Sequence, residues 1–501
     1  MMLERIEVES HVSLDDYASL ASLAPQVERL RSEAKLLAPS LRDRTVWMLS
    51  STTIGGGVAE MMPRIIALLR ELGVRAEWLV MRTRDPAFFR FTKRLHNLIH
   101  GHGTVEITDA ERRLYERISR DCADDLATRA APDDILAAHD PQPLAIGAYV
   151  KHARGTPLVW RCHIGTDEHN AATDAAWSFL RPYASACDRA LFSAPDYIRD
   201  YLAGRSSVMH PTIDPLTHKN RELAPTKLVG ILCNAGLLTP AQPVLTPAFA
   251  EPALRLRPDG TFTPATLPDD IGMPYRPIVT QVSRWDRLKG FEPLLDAFVR
   301  FKRMRTSRSE RAQRRREIVR LVLAGPTPDS IQDDPEAVEV LAHLSSRYAR
   351  LPEALQADIA LLALPMTSRK HNALMVNCLQ RCSAIVVQNS LAEGFGLTAT
   401  EAMWKAVPVL ASRACGLRQQ VRDGLDGCLV DDATDSHALA ETMDAMLAAS
   451  KQRQAWGRSA QRRVYDEFLI FTQVRDWLRV LASVGRCASA REGGARSVAP
   501  P

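Results

Sequence analysis

The sequence predicts an α/β protein built from two doubly wound domains. Its 501 residues exceed what one hydrophobic core normally sustains, so the chain should divide. Short apolar runs alternate with helical stretches along its length, the order expected of βαβ units and a parallel sheet. Most of those runs are almost continuously apolar rather than alternating, as strands covered on both faces should be. Two such domains facing each other would set their C-terminal strand ends, where these sheets bind ligands, along a central cleft.

Taken in order, residues 1–40 have the periodicity of an amphipathic helical arm. The first domain, 41–222, draws its strands from "TVWMLSS" (45–51), "VRAEWLVM" (74–81), "DDILAAHD" (133–140), "PLVWRCHI" (157–164) and "RALFSA" (189–194). Residues 223–276 are proline-rich and irregular and read as a linker or insertion. The second domain, 277–466, supplies "PIVTQVSR" (277–284), "IVRLVLAG" (318–325), "DIALLAL" (358–364), "AIVVQNS" (384–390), "VPVLASR" (407–413) and "GCLVDD" (427–432). Helical spacing resumes at 467–486, where "FTQVRDWLRVLASV" (471–484) would at the least form a terminal core helix. The end, 487–501, has the composition of a disordered tail.

Composition narrows the class. The chain is 46% hydrophobic and 25% charged with a net charge of +5, an ordinary globular balance that does not point to nucleic acid. The one basic run, Lys302 to Arg320, has few apolar residues and reads as a solvated face, with a polyanion-binding patch as the rival. Nine cysteines fall into no zinc or redox spacing and read as reduced thiols. No stretch reaches the length of a membrane span, and "MMLERIEVES" is acidic rather than signal-like. A cytoplasmic protein is the expectation.

Three stretches could carry chemistry. In "SSTTIGGGVAEMM" (50–62), glycines follow the first strand and precede a helix, so that backbone N–H groups can approach an anion. G-x-G-x-x-G is absent, as is the Gly-Lys-Ser/Thr of a phosphate-binding Walker loop, and a tight strand-to-helix turn explains the glycines equally well. In "VSRWDRLKGF" (282–291), Arg284 and Lys289 should project from the end of a strand, where two cations suit a diphosphate. In "LAEGFGLTATEAMWKAVPVLAS" (391–412), Glu393 sits in a loop, Gly394, Phe395 and Gly396 lead into a helix near Leu397, and Glu401 lies about one turn in, expected to be exposed. Eight residues of helix span about 12 Å, less with a loop at the start. Carboxylates that far apart fit two sets of hydroxyls with phosphates between, because each can accept two hydroxyl protons. A helix-capping acid and a solvated helix residue are the plainer readings of Glu393 and Glu401.

Together these stretches resemble the GT-B retaining glycosyltransferases that carry an E-x7-E motif, here Glu393 and Glu401. Further blocks, "WRCHIGT" (160–166), "PTIDPLTHKN" (211–220), "VTQVSRWDRLKG" (279–290) and "VRDGLDGCLV" (421–430), are similar to the trehalose-forming glycosyltransferase (trehalose synthase) subfamily. The resemblance spans residues 50 to 430 and implies a Rossmann-like acceptor domain followed by a nucleotide-sugar donor domain, with the helix at 467–486 crossing back to the first.

It also implies roles. Glu393 would meet the donor hexose with the amides of Gly394, Phe395, Gly396 and Leu397 beside it, and Glu401 would hold the nucleotide ribose. Arg284 and Lys289 would bind the diphosphate, Gly56 and Gly57 would bring amides toward phosphate, and His163 would hydrogen-bond the transferred sugar. Asp167 and Glu60 are the acceptor-side candidates. The reaction implied is transfer of a hexosyl unit, glucosyl by expectation, from a nucleoside-diphosphate sugar to a sugar with retention, giving trehalose or a related α-linked disaccharide. No Asp-x-Asp motif flanks the site, so no metal or other cofactor is expected. The expected partners are small molecules, with a homodimer as the oligomeric option. Two positions depart from the subfamily's pattern: Gly165 stands where an acid is expected after the histidine, and Asn389 where lysine is common. Phosphate-dependent trehalose phosphorylase, a non-catalytic nucleotide-sugar binder and a polyanion binder acting through residues 302–320 remain the alternatives.

Overall fold

The computed structural model describes the chain apart from residues 1, 10–11, 54–56, 84, 240–245, 266–270, 305–308, 328–334 and 497–501, and the side chains of 57–60, 335 and 487–496. The described residues form two compact units. The first comprises Met1–Thr212 and Ile470–Pro501, the second Ile213–Leu469.

The first unit holds a seven-stranded sheet in the order β1-β3-β2-β4-β5-β6-β7. Its strands are β1 (Leu3–Ile6), β2 (Thr45–Ser50), β3 (Arg75–Met81), β4 (Ile135–His139), β5 (Leu158–Cys162), β6 (Arg189–Phe192) and β7 (Ser206–Val208). All are parallel except β1, which runs antiparallel along β3. The expected helical arm at 1–40 therefore begins instead as an edge strand. Four residues long and largely uncovered, β1 carries no apolar run for the sequence pattern to register. The helix Ala24–Leu37 follows and packs against the long helix Ile470–Arg496, whose Trp477 is fully buried. That helix runs ten residues beyond the predicted start of the tail at 487, so the expected disorder does not hold for 487–496. Residues 497–501 lie outside the described residues.

The second unit holds an eight-stranded sheet in the order β15-β14-β13-β10-β11-β12-β8-β9. Its parallel strands are β10 (Ile278–Val282), β11 (Arg320–Pro326), β12 (Ile359–Leu364), β13 (Ser383–Gln388), β14 (Val409–Ser412) and β15 (Gly427–Val430). The segment expected to be a linker or insertion, 223–276, builds the helix Pro225–Asn234 and an antiparallel ribbon, β8 (Leu254–Leu256) and β9 (Phe262–Pro264), that extends the sheet past β12. Among the described residues its prolines border these elements more than they interrupt them, which hid the strands from the sequence pattern.

Both faces of this sheet are covered. Val279, Leu321, Leu323, Ile385 and Val387 join the core on one side, while Ile278, Val282, Val322 and Ala324 join the core on the other. This is why the strands read as unbroken apolar runs. The first parallel strand, β10, is flanked by β11 and β13, so the winding direction reverses between β10 and β13. In the first unit the reversal lies between β2 and β4. Such reversals leave a crevice at the carboxyl ends of the strands, where doubly wound sheets bind ligands.

Within the described part of the basic run at 302–320, four cations are held by neighbouring acids. Lys302 pairs with Asp358 at 2.6 Å, Arg315 and Arg316 share Asp444 at 2.9 Å each, and Arg320 pairs with Asp358. Among the described residues no helix is long and apolar enough to cross a membrane.

Candidate active site

The reversal point of the second sheet brings Lys289 and Glu393 together. After β10 the chain makes a short 3₁₀ turn, Arg287–Lys289, which brings Lys289 Nζ to 2.7 Å from Glu393 Oε2 in the loop that follows β13. The same carboxylate oxygen accepts from Ser390 Oγ at 3.0 Å and from Gln388 Nε2 at 3.3 Å. Both partners of the ion pair are largely buried, at 15% and 11% side-chain exposure, so the charges face each other in a medium less polar than water.

The loop is held from several sides. Leu391 N–H donates to Leu288 C=O at 2.7 Å, and Gly416 N–H donates to Glu393 C=O at 3.0 Å. Gly396 ends the loop with a φ of 91°, a left-handed backbone open to glycine. A side chain there would also press on Leu417 at 2.8 Å and on Glu393 at 3.1 Å. The helix Leu397–Trp404 starts immediately after, and Phe395 is buried edge-on against Phe468, 5.8 Å between ring centres.

Glu401 corrects an expectation. Instead of being exposed it is only 6% accessible, with Oε1 3.6 Å from Lys219 Nζ. Its face of the helix is covered by the turn at 214–221: Trp404 Nε1 donates to Asn220 C=O at 3.1 Å, and Asn377 Nδ2 donates to the carbonyls of His218 and Arg221 at 3.0 and 2.9 Å. Lys405 is buried beneath, donating to Gln380 Oε1 at 2.7 Å and Glu401 C=O at 3.0 Å. Burial pulls the Lys405 ammonium down to about 7, against the pull of the neighbouring Glu401 carboxylate. Sequence reasoning recognised the "DPLTHKN" block but not its Lys219. The signal was a lysine in a block with no other assigned role.

The Arg284 side chain is 61% exposed, with Asp286 at 3.7 Å. Asn389 has a structural reason. It is fully buried, its Nδ2 donating to the carbonyls of Ala433 and Gly290 at 2.8 and 3.2 Å and its N–H donating to Gln281 Oε1 at 3.0 Å. The residue thus binds the end of β13 to the turn after β10.

In the first unit, His163 follows β5 and lies beside His139, the last residue of β4. His163 Nε2 and His139 Nδ1 are 3.0 Å apart, with the rings tilted by only 20°. Asp140 Oδ1 accepts from the His163 N–H at 2.8 Å and adopts a φ of 67°. Arg161 is buried completely, its guanidinium spent on the carbonyls of Cys162, Leu191 and Met209 and on Ser193 Oγ. Burial, reinforced by this cation, lowers His139 to about 3 and holds His163 well below the ordinary histidine value. Burial also raises Asp140 to about 6.

Gly165 is explained by packing. A Cβ there would sit 2.3 Å from the ring of the buried Tyr197, so the expected acid cannot occupy this position. Asp167 is half-buried in the loop that follows. Gly57 opens the helix Gly57–Glu71, while Gly56 and the side chain of Glu60 lie outside the described residues. Among the described residues no group of three or more His, Cys, Asp or Glu is placed to hold a metal ion.

Comparison with known proteins gives the following similarities. Residues 48–199 match the family "Trehalose synthase, N-terminal domain" and residues 273–463 match "Glycosyl transferases group 1". The chain is 30% identical to the trehalose synthase of Rubrobacter xylanophilus over 96% of this chain and 99% of that one. At greater distance it is 25% identical to the trehalose phosphorylase of Pleurotus pulmonarius, over 92% of this chain and 60% of that one. Among solved structures, the UDP-forming α,α-trehalose-phosphate synthase of Burkholderia vietnamiensis superposes with a TM-score of 0.62 at 17% identity, over 89% of this chain and 99% of that one. That likeness establishes the two-domain GT-B fold.

Proposed function

The chain belongs to the trehalose synthase family of group 1 glycosyltransferases, and from that premise we propose that it moves a hexosyl unit from a nucleoside-diphosphate sugar to a sugar acceptor with retention of configuration. Glucosyl is the unit expected, and trehalose or a related α-linked disaccharide the product. The observation that carries this reading is the Lys289–Glu393 pair at the reversal point of the second sheet, with the buried Glu401, paired to Lys219, eight positions along the same segment.

In this reading Lys289 exchanges partners. Before substrate arrives its ammonium is neutralised by Glu393. An incoming diphosphate offers that cation a stronger acceptor, and Arg284, exposed at the end of β10, adds a second charge. Glu393 is then released to accept hydroxyl protons from the hexose, steadied by Ser390 and Gln388. Glu401 accepts from the ribose hydroxyls. The amides of Gly394 to Leu397 lie beside the hexose and donate to it.

The bond between the anomeric carbon and the phosphate oxygen breaks with both electrons staying on the phosphate. The acceptor oxygen attacks from the same face and passes its proton to that phosphate oxygen. Lys289 and Arg284 lower the barrier by stabilising the charge that develops there, a term of about 3–4 kcal/mol where single donors have been removed from comparable sites. His163 would donate to an oxygen of the transferred sugar, and Asp167 and Glu60 remain acceptor-side candidates. No step calls on a metal.

A matrix of UDP-, ADP- and GDP-glucose against glucose and glucose 6-phosphate, run with the purified protein and with Glu401→Ala, tests this. UDP-glucose is the first donor to try, since the Burkholderia enzyme of like fold is UDP-forming. Turnover of a nucleotide sugar, with a raised donor KM in Glu401→Ala, is expected. Phosphate-dependent release of glucose 1-phosphate from trehalose without any nucleotide-sugar turnover would transfer the assignment to the phosphorylase activity of the more distant relatives.

A further inference from the structure

His139 has no place in the reaction outlined above, yet its ring shares a hydrogen bond with the ring of His163. The ring is 3% exposed, packs 5.6 Å from the indole of Trp477 and presents Nδ1 to His163 Nε2 at 3.0 Å. Its other nitrogen, Nε2, is buried and has no hydrogen-bond partner. We infer that His139 is a positioning residue that fixes the tautomer of His163, leaving the His163 proton on Nδ1.

One proton lies between the two rings, and it can belong to either. If His163 Nε2–H were the donor, neutral His139 would carry its own proton on Nε2, a buried N–H with nothing to receive it. If His139 Nδ1–H is the donor, the unmet atom is only a lone pair. Unpaired buried donors are much the rarer and costlier of the two in folded proteins. The modest intrinsic preference of imidazole for a proton on Nε2 is smaller than that cost.

Both rings are neutral, because burial and the Arg161 guanidinium oppose a second proton. The bond is thus a neutral one with a defined direction, from His139 to His163. Its frame is rigid: Asp140 grips the His163 backbone N–H at 2.8 Å and Ser193 Oγ donates to the His163 C=O at 3.0 Å. His163 is thereby left with a single donor, Nδ1–H, and no ring nitrogen able to take a proton from substrate. For a histidine that touches the transferred sugar, this selects hydrogen-bond donation over general-base action. That consequence rests on the role proposed for His163, whereas the tautomer does not.

Long-range proton–nitrogen correlation of the full chain labelled with ¹⁵N-histidine reads the tautomer directly, with the His163 signals assigned by their loss in His163→Gln. Protonated Nδ1 and bare Nε2 at His163 are expected. A proton on His163 Nε2 overturns the inference. His139→Phe, which keeps a ring against Trp477 but donates nothing, should give a mixture of His163 tautomers. It should also lower kcat by about ten- to a hundredfold with little change in donor KM, and His139→Asn, whose amide can donate, should restore part of both. An unmixed Nδ1–H tautomer in His139→Phe also defeats the inference. If the tautomer mixes and kcat stays put, the inference holds and the sugar-binding role of His163 falls.

Discussion

Lys219 Nζ lies 3.6 Å from Glu401 Oε1, and the carboxylate so paired is almost entirely buried. Lys219 is the cation that faces the carboxylate oxygen, and removing one partner of an ion pair leaves the buried charge less well compensated and less firmly placed to accept hydroxyls. Lys219→Met should therefore weaken donor binding and leave chemistry alone. Because the lysine is itself about a third exposed, the loss should be on the order of 1 kcal/mol, roughly a fivefold to tenfold rise in donor KM with kcat little changed. Steady-state kinetics against a nucleotide sugar give the answer. An unchanged KM would remove Lys219 from the site.

Gly165 and Tyr197 make the second case. The glycine is required by the ring over it, whose nearest atom would lie 2.3 Å from any added Cβ. Gly165→Ala should cost about 1–3 kcal/mol of stability through overpacking, and Gly165→Asp more, since it would also bury a charge. In a double-mutant cycle with Tyr197→Ala, which removes the ring atoms nearest the added Cβ, the penalty of Gly165→Ala should shrink, the signature of two residues in direct contact. Urea denaturation of the four proteins measures this. Full additivity would show that Tyr197 is not what excludes a side chain.

These two cases also mark what could be foreseen. All the long parallel strands were legible, because a strand covered on both faces must be written as an unbroken apolar run, as "IALLAL" at β12 is. The placement of Lys289 and Glu393 was legible as well: each stands just past such a run, where a doubly wound sheet binds ligands. The short strands β1, β7, β8 and β9 were not, since they are only partly covered and so carry no unbroken apolar run. Nor was the burial of Glu401, which depends on the 214–221 turn folding over its helix from nearly two hundred positions away. The pairing of His139 with His163 joins the ends of adjacent strands β4 and β5, a register that no local pattern specifies.

Asn389 provides a third test. Its side-chain amide joins Gly290 C=O and Ala433 C=O in a fully buried position. Asn389→Ala would leave both carbonyls without this donor, at a cost of about 2 kcal/mol. Because Gly290 follows Lys289 directly, the loss should also loosen the Lys289–Glu393 pair and raise donor KM. Asn389→Lys brings a longer, charged chain into the same space and should be at least as damaging to stability. Denaturation midpoints and donor KM, measured on both variants, decide. If Asn389→Lys equals or exceeds the parent in stability, the amide bridge is not what holds this corner.

The last test concerns pH. His139 is held at about 3 in the folded chain, against an ordinary value of 6.5. Between those values the unfolded chain binds a proton at this residue and the folded chain does not. Stability must therefore rise with pH across the window and fall as acid is added. One pKa unit corresponds to about 1.4 kcal/mol, so moving from about pH 6.5 to about pH 5 should withdraw on the order of 2 kcal/mol on account of this ring. Lowered His163 adds in the same direction, while Asp140, raised to about 6, binds its proton more tightly when folded and opposes them between 3.8 and 6. Because Asp140 remains in His139→Phe, comparing the variant with the parent cancels most of its effect. Unfolding free energies measured at several pH values for the two proteins should differ in slope, the parent losing more as pH falls. Parallel curves would mean that His139 is protonated in the folded protein as readily as in the unfolded chain, and the buried, neutral ring described above would be wrong.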